Sequence, residues 1–207
     1  MQRIAVLGAG KIGESLIGGL IDAGLVSRDR VVATARHPER LGVLESRFHI
    51  KTSLDNAAAV RGASVVILAV KPQAMAEVLD DIRGKVRRDQ LVISVAASVP
   101  TAFIEKRLGA PAPVVRAMPN TPCLIRKGMT GLSAGRHAET RHLEVARRLF
   151  EPLGRCLILD ERHMDAVTAV SGSGPAYFAL LAEAMIEAGL LLGLSREIGR
   201  ASCRERV

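Results

Sequence analysis

The sequence predicts an α/β protein in which a doubly wound, mainly parallel sheet is followed by the start of an all-helical region. Short apolar runs alternate with helical stretches from residue 4 to residue 159, a pattern typical of a parallel sheet covered on both faces. A glycine-rich turn directly follows the first run. From Asp160 onward the strand pattern stops and the chain has a helical pattern.

Composition narrows the class of protein. Of 207 residues, 48% are hydrophobic and 2% aromatic, so the core is expected to be aliphatic. Lys and Arg outnumber Asp and Glu by 29 to 21, but the charges are scattered and few rings could stack on bases, so we expect no nucleic-acid partner. The cysteines Cys123, Cys156 and Cys203 are widely spaced, which indicates neither disulfides nor a metal site and fits a cytoplasmic protein.

Two apolar segments could be mistaken for targeting signals. The first run is too short for a signal peptide and leads straight into the glycine turn. Residues 175–194 have the length of a membrane span, but Glu183 and Glu187 interrupt them on one helical side. We therefore expect no membrane partner, and a helix buried against another protein surface.

The first strand is predicted at residues 4–7, and the turn after it has the spacing Gly-x-Gly-x-x-Gly. Gly8 would allow the tight turn, Gly10 would let a pyrophosphate approach the backbone, and Gly13 would let the next helix pack closely. An amphipathic stretch at residues 12–23 supplies that helix. The pattern favours dinucleotide binding over a turn that merely joins a strand to a helix.

The second strand is predicted at residues 30–35, and its end indicates which dinucleotide binds. NAD sites of this kind place an acid about 20 residues beyond the glycines to bind the ribose. This chain has Thr34 and Arg36 there, with Arg40 one helical turn later. A hydroxyl and a guanidinium favour a 2′-phosphate, so NADPH is predicted over NADH. The alternative is that both arginines are solvated residues at a helix start.

The remaining sheet elements follow from further apolar runs. Strands that end in prolines or small residues, such as the one before Lys71 and Pro72, would bring those residues to the ligand-binding edge of the sheet. Strands are predicted at residues 48–52, 64–70, 91–97, 114–118, 129–134 and 156–159, with helices at 54–61 and 138–150.

The helical region is predicted as two helices, at residues 162–170 and 176–192, joined by a turn at residues 171–175. Ser173 or Gly174 suits an N-cap and Pro175 the first helical position. Alternatively, Ser173 and Gly174 form a platform of small residues beside the nicotinamide or the substrate.

Three longer segments are more specific than the glycine turn. Residues 69–73 read AVKPQ, residues 115–122 read VRAMPNTP, and residues 165–177 read DAVTAVSGSGPAY. In this order, over about residues 3–196, the chain resembles pyrroline-5-carboxylate reductase, the last enzyme of proline biosynthesis. The resemblance implies a Rossmann-type NADP-binding domain at residues 1–159, a helical dimerisation and substrate domain starting at residue 160, and a homodimer or higher homo-oligomer.

The resemblance also implies the reaction and its site. Hydride would pass from NADPH to the imine carbon of 1-pyrroline-5-carboxylate, which gives L-proline. This scheme requires neither a metal nor a protein nucleophile, so no catalytic residue is assigned. Asn120 would lie on the loop nearest the substrate, with Ser173 and Gly174 also substrate-proximal. The residues implied to bind the cofactor are Gly8, Gly10, Lys11, Ile12, Gly13, Thr34, Arg36, Asn56, Val70, Lys71, Pro72, Ala96 and Ala97.

The C-terminal residues depart from the family pattern. Family members continue into further helices and a hydroxyl-rich glycine loop that cradles the substrate carboxylate. Residues 197–207 instead have no apolar helical period and look like the translation of a sequencing-adapter oligonucleotide. We expect residues 160–196 to be an incomplete helical domain, residues 197–207 to be non-native, and the chain alone to bind NADPH with little turnover. A naturally divergent terminus is the alternative.

Two other functions remain open at this point. One is another imine or hydroxy-acid reductase of the 6-phosphogluconate dehydrogenase-like group. Those enzymes carry a catalytic Lys in the helical region, and Lys127 is the last Lys here, which argues against the hydroxy-acid version. The other is a catalytically dead NADP-binding fragment.

Overall fold

The computed structural model describes residues 3–204, and it describes side chains up to residue 201. Within this range the chain forms a single sheet of eight strands with helices on both faces. The strands are β1 (Ile4–Leu7), β2 (Val31–Thr34), β3 (Lys51–Ser53), β4 (Val65–Leu68), β5 (Leu91–Ser94), β6 (Val114–Pro119), β7 (Gly128–Ala134) and β8 (Gly154–Ile158). The helices are α1 (Lys11–Asp22), α2 (Pro38–Phe48), α3 (Asn56–Arg61), α4 (Met75–Asp81), α5 (Thr101–Leu108), α6 (Thr140–Phe150), α7 (Met164–Val167), α8 (Gly174–Leu191) and α9 (Arg196–Arg204).

The strand order is β3-β2-β1-β4-β5-β6-β7-β8, and all neighbours from β3 to β6 run parallel. Strand β7 is antiparallel to β6, and β8 runs parallel to β7. The predicted doubly wound, mainly parallel sheet is therefore confirmed. Because the chain moves outward from β1 in one direction and returns to β4 on its other side, a crevice forms at the carboxyl ends of β1 and β4.

Two aliphatic layers cover the sheet, one on each face. Alternate residues of β1 serve different layers, so Ile4 and Val6 pack on one side and Ala5 and Leu7 on the other. Helices α1, α2 and α6 supply the first layer, and α3, α4 and α5 supply the second. This burial of β1 on both faces explains its continuous apolar run.

The strand predicted at residues 48–52 begins later, at Lys51. Phe48 is instead the last residue of α2, and its ring lies against α1 beside Gly18. Leu41, Leu44 and Phe48 lie on one face of that helix, and their spacing of three and four residues is typical of a helix rather than a strand. His49 then ends the helix in a left-handed conformation, with φ at 54°.

The predicted turn at residues 171–175 is wrong, because the chain stays helical there. A π-helical segment, Thr168–Gly172, joins α7 to α8, and the Ser173 amide donates to the Thr168 carbonyl at 2.9 Å. Helix α8 begins at Gly174 with Ser173 as its N-cap residue, as predicted, although Ser173 has helical backbone angles and makes no side-chain cap bond. Gly172 lies against Met118, since a Cβ there would come within 2.9 Å of the terminal methyl of this flexible side chain.

Helix α8 is apolar and mostly exposed, because α9 covers only part of it. Phe178 and Leu180 are each 72% exposed and Leu191 is 89% exposed, whereas Ile186 is buried. Among the described residues, one helical stretch, Glu161–Leu191, is long and apolar enough to cross a membrane by length and composition. The exposed apolar side chains of α8 form a continuous patch, and such a patch marks an interaction surface.

Residues 197–207 show no apolar period in the sequence, yet the structure forms α9 up to residue 204. This helix folds back on α8, where a Cβ on Gly199 would contact Ile186, and Arg196 pairs with Glu183. Packing against α8 and this ion pair hold the helix in place. Residues 205–207 lie outside the described part of the chain.

Candidate dinucleotide site at the β1–β4 crevice

The three glycines of the turn after β1 have three different geometric roles. Gly8 has a φ of +79°, and a Cβ there would lie 2.2 Å from Cγ1 of Val70. A Cβ on Gly13 would lie 3.3 Å from both Val6 and Ala69, so this glycine allows α1 to pack on the sheet. At Gly10 the nearest atom would be 4.0 Å away, so the space beside it is open. The turn thus offers a cradle that a side chain at Gly10 would fill.

The N-terminus of α1 faces this cradle. Its N-cap is Gly10, which has no side chain to cap the first amides of the helix. Lys11 and Ile12 follow as the first two helical residues, and Lys11 is exposed. Uncapped amides and the positive end of the helix dipole attract anions. The arrangement fits the pyrophosphate of a dinucleotide.

Thr34 holds the glycine turn from inside the protein. The amides of Gly8 and Ala9 donate to its carbonyl at 3.1 and 2.8 Å, and its hydroxyl donates to Oδ1 of Asn56 at 2.7 Å. The residue is 2% exposed. This placement corrects the expectation that Thr34 contacts a 2′-phosphate, because its hydroxyl is used inside the fold while Arg36 is exposed at the crevice.

Arg36 reaches across the crevice to α4. Its Nη2 donates to Oε2 of Glu77 at 3.0 Å, and both side chains are about two-thirds exposed, at 65% and 68%. The guanidinium is therefore accessible to a ligand, but it already has a carboxylate partner.

Arg40 fixes the glycine turn, so its interpretation as a solvated residue is wrong. Its Nε donates to the Ala9 carbonyl at 2.9 Å and its Nη2 to the Gly10 carbonyl at 3.3 Å, and it pairs with Glu14. Glu14 also pairs with Arg47. Sequence reasoning missed this cluster, although an acid in the first turn of α1 was a visible signal.

The Arg40–Glu14 contact makes the turn sensitive to acid. Burial raises the pKa of Glu14, but the hydrogen bond and charge of Arg40, with those of Arg47, outweigh it and hold the pKa below its ordinary 4.5. A carboxylate whose pKa is depressed on folding stabilises the protein above its unfolded pKa, and this stabilisation is lost as the pH falls through the folded value.

We therefore expect Glu14→Gln to lower the free energy of unfolding by about 1 to 2 kcal/mol at pH 7. The difference from wild type should shrink as the pH falls below 4.5, since wild-type Glu14 is then also neutral. Urea unfolding at a series of pH values measures both quantities. Glu39→Gln, which removes an exposed carboxylate of α2, is the control. A pH-independent difference would contradict this account of Glu14.

The other positions predicted for the cofactor follow the same edge of the sheet. Val70 touches the Gly8 position, and Lys71 and Pro72 are exposed just after it. Ala96 is buried and Ala97 half-buried after the end of β5. The sheet therefore aligns the predicted residues along the carboxyl ends of β1, β4 and β5.

Asn120 lies at the same edge and connects the sheet to the π-helical segment. Its Oδ1 accepts from the Met129 amide at 2.9 Å, and its Nδ2 donates to Oγ of Ser171 at 3.4 Å. Ser171, rather than Ser173 or Gly174, is thus the residue that the structure brings to Asn120. Gly174 lies at the start of α8, where a Cβ would have nothing within 4 Å.

Arg116 is a second residue that sequence reasoning missed. It lies in β6 with its side chain 4% exposed, and its Nη2 donates to Asp165 at 2.8 Å. Its Nη1 lies 3.6 Å from Glu161, whose carboxylate accepts from the amide and hydroxyl of Thr101 at 2.7 and 2.6 Å. The network joins the helical region to the sheet, so it fixes where the π-helical segment meets Asn120.

No metal cluster of three or more His, Cys, Asp or Glu occurs among the described residues. His142 accepts from the Glu139 amide in a capping box at the start of α6, so this ring has a structural role. Burial raises the pKa of the Cys123 thiol, and burial with the charge of Glu151 raises that of Cys156 to about 11. Both thiols are therefore protonated near neutral pH, which makes them poor nucleophiles.

Comparison with known families divides the chain into two matched parts. Residues 3–98 match a family model described as NADP oxidoreductase, coenzyme F420-dependent. Residues 161–207 match a family model for the pyrroline-5-carboxylate reductase dimerisation region. The first match covers the glycine turn and the β1–β4 crevice, and the second covers the exposed helices.

Whole-chain relatives agree with these matches. The chain is 47% identical to a pyrroline-5-carboxylate reductase of Pseudomonas aeruginosa over 196 residues, which is 94% of this chain and 71% of the relative. Its structure resembles a pyrroline-5-carboxylate reductase from Coxiella burnetii, with a TM-score of 0.89 at 33% identity over 99% of this chain and 76% of the other. A Plasmodium falciparum pyrroline carboxylate reductase with NADP bound gives 0.85 at 26% identity, over 98% and 74%.

Proposed function

The chain belongs to the pyrroline-5-carboxylate reductase family, and from this premise we propose that it is an oxidoreductase that reduces 1-pyrroline-5-carboxylate to L-proline. This reaction is the last step of proline biosynthesis. The observation that carries the proposal is the 47% identity to a named reductase along 94% of the chain. The crevice geometry supports it, because the cradle at Gly10 and the uncapped start of α1 suit a dinucleotide.

The cofactor that we propose is NADP, with NADPH preferred over NADH. When bound, NADPH supplies the hydride that reduces the imine carbon. The amides at the start of α1 would bind its pyrophosphate, and Arg36 would donate to its 2′-phosphate. Ala96 and Ala97 leave room for a flat ring at the end of β5.

The residues around Asn120 would complete the substrate side. Asn120 holds the loop after β6 against Ser171, and Arg116 fixes the helical region through Glu161 and Asp165. These residues position the π-helical segment at the carboxyl edge of the sheet. Positioning of this kind keeps reacting groups in a productive geometry, which is a large part of catalysis in hydride transfer.

We expect Arg36→Ala to weaken NADPH binding by about 10-fold to 100-fold, or about 1.5 to 3 kcal/mol, because a charge-assisted contact with the 2′-phosphate is lost. NADH lacks that phosphate, so its affinity should change less than twofold. Fluorescence titration of both cofactors measures the two affinities. Equal losses for NADPH and NADH would contradict the assignment of Arg36.

Arg83→Ala provides the matched control, since Arg83 is an exposed arginine that follows α4 rather than β2. Arg83→Ala removes one positive charge from the protein, as Arg36→Ala does. An NADPH-specific loss in Arg36→Ala alone separates a local contact from a general effect of net charge.

Turnover tests the activity itself. In this chain joined to the family's C-terminal helices, we expect NADPH oxidation in the presence of 1-pyrroline-5-carboxylate to produce proline in equal amount. We expect no oxidation when a 2-oxo acid, the oxidised form of a hydroxy acid, replaces the imine. Turnover of a different imine would favour another reductase of the same fold. Tight NADPH binding without turnover of any imine would favour a protein that only binds the cofactor.

The proposal also covers the oligomeric state, the partners and the cellular compartment. Two copies of the chain would cover each other's α8, since residues 161–207 match a dimerisation family and this helix is exposed. We propose a cytoplasmic homodimer or higher homo-oligomer whose substrate is a small molecule, with no nucleic acid or membrane as partner.

A further inference from the structure

The ion pair between Arg36 and Glu77 has no role in the proposed reaction. We propose that Glu77 sets the cofactor selectivity of the crevice by competing with the 2′-phosphate for the Arg36 guanidinium. The inference rests on the proposed function, because it takes the crevice to be the NADPH site.

The two residues come from opposite sides of the glycine turn. Arg36 follows β2 and Glu77 lies on α4, which follows β4, and these two strands flank β1 in the sheet. Their side chains nevertheless meet, with 3.0 Å between Nη2 and Oε2. The contact therefore joins the two sides of the crevice beyond the end of β1, next to the place where the ribose of a dinucleotide binds in this fold.

A second contact holds α4 to the same side without Arg36. Asp81 lies one helical turn after Glu77 and accepts from Nδ2 of Asn56 at 3.0 Å. Asn56 in turn accepts from the buried hydroxyl of Thr34. Removal of the Glu77 carboxylate thus leaves α4 attached to the β2 side. The Arg36–Glu77 pair is not needed to hold α4 in place, so its effect on ligand binding can be measured in a folded protein.

The pair affects the two cofactors differently. To bind a 2′-phosphate with two parallel bonds, the guanidinium must give up or share its bond to Glu77, and the carboxylate would repel the phosphate. A ribose with a free 2′-hydroxyl imposes neither cost. Glu77 therefore weakens NADPH binding relative to NADH, while Arg36 strengthens it.

We expect Glu77→Gln to tighten NADPH binding by about threefold to tenfold, the range of an exposed ion pair plus one removed repulsion. NADH affinity should stay within about twofold of wild type. Equilibrium fluorescence titration with NADPH and NADH measures both, and urea unfolding checks that the variant is folded.

The matched control is Asp89→Asn. Asp89 pairs with Arg87 in a similarly exposed contact at 2.9 Å. The pair lies just before β5 begins, at the amino ends of the parallel strands and so away from the crevice. Asp89→Asn removes one negative charge, as Glu77→Gln does. A change in NADPH affinity as large in Asp89→Asn as in Glu77→Gln would overturn the inference.

The double variant Arg36→Ala/Glu77→Gln tests the competition itself. If Glu77 acts mainly through Arg36, only the part due to repulsion of the phosphate remains once Arg36 is absent, so the gain from Glu77→Gln becomes clearly smaller. A gain of full size in the Arg36→Ala background would overturn competition for the guanidinium. A response to Arg36→Ala without any response to Glu77→Gln would overturn this inference alone. A wild type that binds both cofactors equally and ignores Arg36→Ala would overturn the proposed NADPH preference as well.

Discussion

Substitution of Gly10 by Val is expected to abolish cofactor binding while the protein stays folded. A Cβ at Gly10 meets no atom closer than 4.0 Å, and the residue has a φ of −74°, which any L-residue can adopt. The branched side chain would therefore fit the fold but fill the cradle meant for the pyrophosphate. We expect NADPH affinity to fall by on the order of 100-fold or more, with the free energy of unfolding changed by less than about 1 kcal/mol.

Titration with NADPH and urea unfolding separate these two effects. Gly42→Val is the control, because Gly42 is exposed in α2 and a Cβ there would also meet nothing within 4 Å. It should leave binding near wild type. Retained binding in Gly10→Val would mean that the glycine turn only joins β1 to α1.

Phe178→Glu is expected to separate the proposed oligomer into monomers. Phe178 lies on α8 and is 72% exposed in the single chain, so a second copy would bury it. An unpaired carboxylate in an apolar interface is strongly unfavourable, and we expect the dimer dissociation constant to rise by on the order of 1,000-fold. Sedimentation velocity at micromolar protein gives the distribution of species.

Leu25→Glu is the matched control for the α8 surface. Leu25 is 44% exposed but follows α1, outside the helical region. This change should leave the association state as in wild type. The cofactor crevice belongs to the sheet, so NADPH binding should survive in Phe178→Glu. A wild type that is already monomeric, or a Phe178→Glu variant that associates equally, would contradict the proposed interface.

The sheet could be predicted because its central strands are buried on both faces. Strands β1, β4 and β5 are short, mainly aliphatic runs that are followed by glycines or small residues, so the local sequence pattern predicts them. The antiparallel direction of β7 relative to β6 could also have been predicted. Only eight residues separate Pro119 from Gly128, and a parallel crossover needs about a dozen or more.

The π-helical segment could not be predicted in the same way. Ser-Gly-Ser-Gly-Pro favours a turn by local preference, and the prediction of a turn followed from it. The helix continues because Gly172 packs against Met118 and the Ser173 amide finds the Thr168 carbonyl. The contact between Gly172 and Met118 is tertiary, so the local sequence does not contain it, whereas the bond from Ser173 to Thr168 belongs to the π-helical segment itself.

The geometry of the glycine turn could be predicted from the sequence, whereas ion pairs between residues distant in the sequence were missed. The three glycine roles follow from their spacing. Arg40 and Arg116 appeared as ordinary charges in the sequence, because their partners at Glu14 and Asp165 are 26 and 49 residues away. An arginine in the middle of an apolar strand was nevertheless a signal that Arg116 needs acidic partners.

The most direct test is the crystal structure of the protein with NADP⁺. The account predicts the pyrophosphate beside Gly10 and the amides of Lys11 and Ile12, and the 2′-phosphate within hydrogen-bonding distance of Arg36. It also predicts that the Arg36–Glu77 contact is broken or shared in the complex. A cofactor bound away from the β1–β4 crevice, or with its 2′-phosphate remote from Arg36, would contradict the account.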